Sequence, residues 1–204
     1  MKVSTSKRAV TAAAKTAGKP DKAASAQASH RPPSKPLKSG RPAAPRSVPA
    51  AALIEGGPAP GFQLPRDGGG SVSLGDFAGR KVVLFFYPRA DTPGCTREAI
   101  DFTRLSPAFA ELGAAVIGVS ADSPAAQESF RDKHKLSVPL LADEQHQMLA
   151  AYGAWGEKSM YGRAFMGIIR TTIVIGEDGR IARIWRNVRV DGHAEEVLAA
   201  VREM

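Results

Sequence analysis

The stretch "FFYPRADTPGCTREAID", Phe85 to Asp101, joins an apolar run to a helix-like run and carries Cys95, the one cysteine among 204 residues. Upstream, "KVVLFFY" (81–87) is apolar after its lysine, the pattern of a buried strand. "DTPG" is turn chemistry, and "TREAIDFTRL" after it sets Ala99, Ile100, Phe102 and Leu105 toward one side of a helix. "AAVIGVS" (114–120) then reads as a second buried strand. Strand, helix, strand over 81–120 implies a parallel pair joined by a right-handed crossover, and hence an α/β fold.

Working outward, "TTIVI" (171–175) is a third buried strand that runs through "GEDG" into "RIARIW" (180–185), whose alternation predicts an antiparallel hairpin. "SVSL" (71–74) is a further short strand. "SPAFAEL" reads as a new helix with Ser106 as cap and Pro107 at its first position, and "DSPAAQESFRDKH" repeats that start at Ser123 and Pro124. In "HAEEVLAAVREM", Ala194, Val197, Leu198 and Val201 follow the i, i+3, i+4, i+7 spacing of a core-facing helix. The prediction is a central mixed sheet flanked by helices. In such sheets sites collect where strands end and helices begin, which is where Cys95 lies.

The composition divides the chain. Residues 1–50 hold eleven Lys or Arg and one acid, Asp21, whereas the remainder holds 17 basic and 19 acidic residues. The first segment is Ala, Lys, Ser and Pro without aromatics, too poor in apolar surface to offset its ordering entropy, and is expected to be a disordered basic tail on a domain spanning 51–204. Such a tail is either a plain solvated extension or an arm with weak, non-specific attraction to nucleic acid or another anionic surface. No apolar run suits a secretory signal or a bilayer span, so no membrane contact is expected. The expected location is cytoplasmic; the alternative is an organelle, if the basic, acid-poor tail is a transit peptide, although its prolines oppose the amphipathic helix such peptides use. A single cysteine rules out an intramolecular disulfide and fits a reducing compartment.

A lone cysteine is by default a small buried hydrophobe. Here it opens a helix behind a turn, where free N–H groups and the macrodipole favour thiolate, the nucleophilic form. Arg97 adds a nearby positive charge of unfixed direction. His134, His146 and His193 are scattered, so a Cys-His hydrolase would need the fold to bring one of them to Cys95; they read as surface or structural residues. C-x-x-C chemistry is excluded, and one Cys with dispersed His gives no metal site. No cofactor is expected. Trp155 and Trp185 read as packing residues, and Lys158 and Arg163 in "GEKSMYGR" as loop charges.

"PRADTPGC" resembles the P-x-x-x-[TS]-x-x-C signature of peroxiredoxins on Pro88, Thr92 and Cys95, and "FFYPxxxTPGCTxEA" is similar to their bacterioferritin comigratory protein, or peroxiredoxin Q, branch. "YGAWGEKSMYGRAFMGIIRTTIVIGEDGRI" (152–181) resembles the second diagnostic stretch, with Arg170 at the active-site arginine. With "PAPGFQLPRDGGGSVSLGDFAGRKVVLFFYP" the resemblance covers nearly all of 57–204. It implies a thioredoxin-like fold and thiol-dependent reduction of hydroperoxides. Carried over by position, Cys95 is the peroxidatic nucleophile, Thr92 bonds peroxide and sulfur, Pro88 shields the thiolate, and Arg170 stabilises thiolate and transition-state charge. Read alone, Thr92 could be a turn hydroxyl, Pro88 a strand terminator and Arg170 a surface cation.

The chain departs from the branch at Ile100, where many members carry a resolving cysteine five residues after the first. An external thiol must then close the cycle: a thioredoxin, a glutaredoxin or a low-molecular-weight thiol. The branch tendency is toward monomers, and a Cys95-linked dimer on oxidation is the alternative. Two rival functions stand beside the enzyme: a nucleic-acid or anionic-surface binder acting through its tail, and a peroxide sensor passing oxidation to a partner.

Overall fold

The structure, a computed structural model, describes residues 53–160 and 162–204; the expected tail, and its boundary near Ala51, lie outside the described residues. The elements in chain order are β1 (Gln63–Pro65), β2 (Ser71–Ser73), β3 (Lys81–Phe86), α1 (Pro93–Glu111), β4 (Ala114–Ser120), α2 (Pro124–His134), β5 (Leu140–Ala142), α3 (Gln147–Ala151), β6 (Trp155–Met160), β7 (Arg163–Ile168), β8 (Thr171–Ile175), β9 (Ile181–Arg186) and α4 (His193–Arg202). The central sheet has the order β5-β4-β3-β8-β9. Its β3–β4 and β4–β5 pairs are parallel, and β3–β8 and β8–β9 antiparallel. β1 with β2, and β6 with β7, form separate two-stranded pairs. The mixed sheet read from the sequence is thus present.

After Lys81, β3 is apolar because both of its faces are covered. Val83, Phe85 and Tyr87 join one core layer with Cys95, Ala99, Phe102 and Phe109 of α1 and with Ala194, Val197, Leu198 and Val201 of α4. Val82, Leu84 and Phe86 join the other with Met148 and Leu149 of α3 and Tyr152. Phe85 stacks on Phe102 with centroids 4.6 Å apart, fixing α1 against the sheet. That stack needs Gly118, which pairs with Phe85 across β3–β4. A Cβ there would lie 2.6 Å from Phe85 Cζ and 2.9 Å from Leu140 Cδ2.

Three expectations are corrected. First, α1 is one helix and not two. Pro107 lies inside it and has no N–H for the Thr103 carbonyl, but Ser106 Oγ donates to Thr103 O at 2.8 Å and fills that vacancy. The apolar face continues across the proline through Phe102, Leu105 and Phe109, so packing holds the helix together. At the second Ser-Pro pair the cap reading is right: Ser123 Oγ accepts from Ala126 N at 3.3 Å. Second, Ile100 does not face the core; it is 42% exposed. Third, Lys158 and Arg163 lie on the β6–β7 hairpin and not in a loop, and Lys158 Nζ donates to Ile168 O at 3.0 Å.

Candidate active site

β3 delivers the chain to a short loop, and Thr92 occupies the N-cap position of α1 with extended backbone. Pro93 suits the first helical position because no carbonyl one turn earlier awaits its N–H. Gly94 and Cys95 follow in the first turn, where backbone N–H groups have no intrahelical acceptor and offer themselves to an anion. Cys95 is 2% exposed, at the edge of the α1 core layer.

Arg170 comes from 75 residues away, between β7 and β8. The antiparallel register that sets Thr171 opposite Phe86 brings it to the end of β3. Its Nη2 donates to Cys95 Sγ at 3.3 Å, and its Nη1 donates to the carboxylate of Glu98. The guanidinium is 15% exposed in its side chain. It also lies over the helix start: a Cβ on Gly94 would be 3.5 Å from Nη2. Arg170 O accepts from Val188 N at 3.1 Å, which ties its backbone to the chain after β9.

Glu98 is the residue that sequence reasoning missed. It is 1% exposed, one turn after Cys95 on the same face, and its Oε1 has no hydrogen-bond partner. Burial pushes its carboxyl up to about 7 despite the opposing pull of Arg170. The available signal was an acid three residues after the cysteine, and so on the same face of the helix.

The loop is fastened from α2 and its approach. Tyr87, fully buried, donates its hydroxyl to Gln127 Oε1. Gln127 Nε2 donates to Ser120 Oγ (2.8 Å) and Leu141 O (3.0 Å), and Ser120 Oγ to Asp122 Oδ2 (2.7 Å). The same Asp122 oxygen accepts Ala90 N at 2.7 Å. Asp91, in the left-handed region at φ 59°, meets Lys133 Nζ at 2.6 Å and His134 Nε2 at 2.7 Å. Burial keeps the Tyr87 phenol neutral far above its ordinary range.

Pro88 is half-buried where the strand ends. Thr92 Oγ1 donates to Arg89 O at 3.0 Å, so its proton is committed to the loop while its lone pairs remain for an incoming O–H. Arg97 turns outward onto Asp191 at 2.5 Å, so it is Arg170 that bonds the sulfur. The histidines have other duties. His134 holds Asp91, His146 stacks on Trp155 with centroids 3.9 Å apart, and buried His193 bonds Thr172 Oγ1 through Nε2 at 2.8 Å. Trp185 packs beside His193 and donates Nε1–H to Glu196 at 2.7 Å.

The AhpC/TSA family matches residues 56–184. Bacillus subtilis peroxiredoxin Bcp is 42% identical over 146 residues, covering 72% of this chain and 93% of that protein. Escherichia coli peroxiredoxin Bcp is 38% identical over 151 residues, covering 74% and 97%. Among solved structures, the Xanthomonas campestris bacterioferritin comigratory protein, studied for alkyl peroxide reduction activity, superposes with a TM-score of 0.67 at 38% identity, covering 70% of this chain and 90% of that one. A thiol at a helix start beneath an arginine, on a sheet of this order and with relatives of this kind, places the chain in the AhpC/TSA family, as a thioredoxin-fold, thiol-dependent peroxidase of the Bcp, or peroxiredoxin Q, branch.

Proposed function

We propose that Cys95 is the peroxidatic thiol for hydrogen peroxide and alkyl hydroperoxides, with Arg170, Thr92 and Pro88 serving its reaction and an external thiol completing the cycle. The observation that carries this reading is the Arg170 Nη2 to Cys95 Sγ bond at 3.3 Å in the first turn of α1. Helix-end N–H groups and the guanidinium stabilise sulfur as thiolate. Sulfur attacks the terminal peroxide oxygen: the S–O bond forms, the O–O bond breaks, and the alkoxide leaves with the bonding pair and takes a proton. Arg170, charged at every working pH, meets the negative charge that moves from sulfur to the departing oxygen. Thr92 Oγ1 accepts the peroxide O–H and orients it, and Pro88 limits water at the thiolate.

The sulfenic acid on Cys95 has no second cysteine in this chain to meet. A first external thiol condenses with it, releasing water and leaving a mixed disulfide; a second releases Cys95 and departs as the oxidised donor. A thioredoxin, a glutaredoxin and a low-molecular-weight thiol all fit this stoichiometry. Cys95 is 2% exposed, so each of these donors reaches the sulfur only when the loop opens, and thioredoxin is the donor that the branch favours. The same burial opposes a Cys95-linked dimer and favours a monomeric cycle. Without a resolving thiol, excess peroxide carries Cys95 on to sulfinic acid.

Peroxide consumption by wild type and Cys95→Ser, each with the three donor classes, tests this reading. Activity retained in Cys95→Ser overturns it, as does a Cys95 that stays unmodified by mass after peroxide titration without donor. The donor giving the highest kcat/KM identifies the reductant class.

We further assign residues 1–50 as a basic arm on a domain spanning 51–204, with salt-sensitive attraction to polyanions as its only nucleic-acid contact. Retention on DNA at low salt, lost on deleting 1–50, supports the assignment; no retention at low salt removes it. No helix among the described residues is long and apolar enough to cross a membrane. With one cysteine and a thiol-fed cycle, the reading fits a reducing cytoplasm better than an organelle-targeted form.

A further inference from the structure

Around Cys95 a single guanidinium serves two groups that can each carry a negative charge. Arg170 gives Nη2 to the sulfur and Nη1 to Glu98. The other nearby arginine, Arg97, is spent on Asp191 at the surface. Both acidic partners are at least 98% buried. Thiolate and carboxylate together would leave one buried negative charge without a counterion, which a low-dielectric site resists.

The carboxyl group itself shows which partner is better suited to hold a proton. Glu98 Oε2 is taken by Arg170, while Oε1 is buried with no partner. An ionised carboxylate leaves that oxygen an unmet acceptor, whereas a proton on it removes the charge. Burial brings proton uptake at Glu98 to about 7, inside the working range. The remaining titratable groups around this cluster do not compete. Tyr87, at the end of β3, is held neutral and bonded to Gln127. His193, on α4, is pushed below its ordinary value by burial against the opposing pull of Glu196, with Arg170 acting in the same direction as burial.

Resting on the peroxidatic reading of Cys95, we propose that Cys95 and Glu98 share one proton across Arg170, and that Glu98 holds it during attack and then gives it to the departing alkoxide. The step balances. Cys95–SH and Glu98 carboxylate become Cys95 thiolate and Glu98 carboxylic acid. The thiolate takes the terminal oxygen of ROOH, so sulfur is oxidised to sulfenic acid and the O–O bond is reduced. The leaving RO⁻ takes the Glu98 proton and departs as ROH, which restores the carboxylate. Once sulfur is a neutral sulfenic acid, Arg170 is left to compensate Glu98 alone. The pair titrates as a unit.

Glu98→Gln tests the proposal, because the amide keeps an acceptor for Arg170 yet neither takes nor gives the proton. Two readouts are followed: thiolate absorbance of the reduced chain against pH, and the single-turnover rate of Cys95 oxidation by a series of alkyl hydroperoxides. The expected result is thiolate appearing at lower pH than in wild type, since Arg170 no longer divides its charge, together with a rate about 100-fold lower at neutral pH. That deficit grows as the leaving alcohol becomes more basic. Thiolate appearing at higher pH alongside the slower rate would mean that Glu98 only orients Arg170, and overturns the proposal; an unchanged rate also overturns it. If the variant does not fold, infrared difference spectra of wild type decide. A protonated-carboxyl band in the reduced chain that disappears on oxidation supports the shared proton, and its absence from the reduced chain refutes it. Cys95→Ser, run in parallel, reports on the peroxidatic reading independently of Glu98.

Discussion

Glu98→Gln is expected to change how stability depends on pH, by an amount that follows from the burial of one carboxyl. In the fold Glu98 takes its proton near 7, against an ordinary value of 4.5. Between those values the folded chain binds more protons than the unfolded chain, so stability falls as pH rises through the window. The cost is absent below 4.5 and complete above 7, and the gap corresponds to about 3 kcal/mol. At 1% exposure, solvent screening removes little of it. His193 acts with the opposite sign: burial holds it below its ordinary value, so the folded chain gains stability as pH rises toward 6.5. Asp91 and Glu195, held low by Lys133 and Arg104, act only at more acid pH. All three are common to both chains and cancel in the difference, and any pH-independent cost of the amide offsets that difference without altering its change with pH. The assay is urea unfolding from pH 4 to 8.5 in a Cys95→Ser background, where the thiol does not titrate. The stability of Glu98→Gln relative to its parent should rise by about 3 kcal/mol between pH 4.5 and 7 and then level off. A difference flat to within about 1 kcal/mol, or one falling with pH, refutes the reasoning.

Arg170→Lys replaces a fork by a point charge that can serve Cys95 or Glu98 but not both, and kcat/KM for hydroperoxides is expected to fall about 100-fold; a loss under about twofold removes Arg170 from the site. Gly118→Ala sets a methyl group against Phe85 and Leu140 and should cost about 1–3 kcal/mol in thermal or urea unfolding, whereas an unchanged midpoint would show that the Phe85–Phe102 stack yields freely. Ser106→Ala should cost about 1 kcal/mol more with Pro107 present than in a Pro107→Ala background, where the restored N–H serves Thr103 O and only the hydroxyl contact with Ser137 is lost; equal losses in that cycle would mean the hydroxyl is no substitute donor.

Much of the molecule was legible because β3, β4 and β8 are apolar on both faces and the crossover rule leaves few ways to connect them. Cys95 could be placed at a helix start from the turn residues alone. What stayed hidden was mostly long-range. The two Ser-Pro pairs look alike in sequence and differ in outcome, since only at 106–107 does an apolar face run unbroken across the proline. Glu98 looks like any surface acid until the β3–β8 register brings Arg170 onto it across 72 residues. β5 and α3, of three and five residues, are too short to show a period. The β6–β7 hairpin exposes most of β7, so its sequence carries no strand-like alternation.

Ile100 connects the misread helix face with the chemistry. Five residues on from Cys95 along an α-helix is about 140° of rotation, which puts the two positions on different faces. That is why Cys95 is 2% exposed and Ile100 is 42% exposed. A group at position 100 therefore cannot reach the sulfur while the first turns of α1 stay wound, whether it is a thiol or an isoleucine. Access to the oxidised sulfur is then set by what holds the loop before α1, and those fastenings converge on one region: Tyr87 on Gln127, Ala90 on Asp122, and Asp91 on Lys133 and His134. With Cys95 2% exposed, a thiol donor has to work against all of them. We therefore expect the grip of α2 and the chain before it on this loop to set how fast a thiol donor completes the reaction.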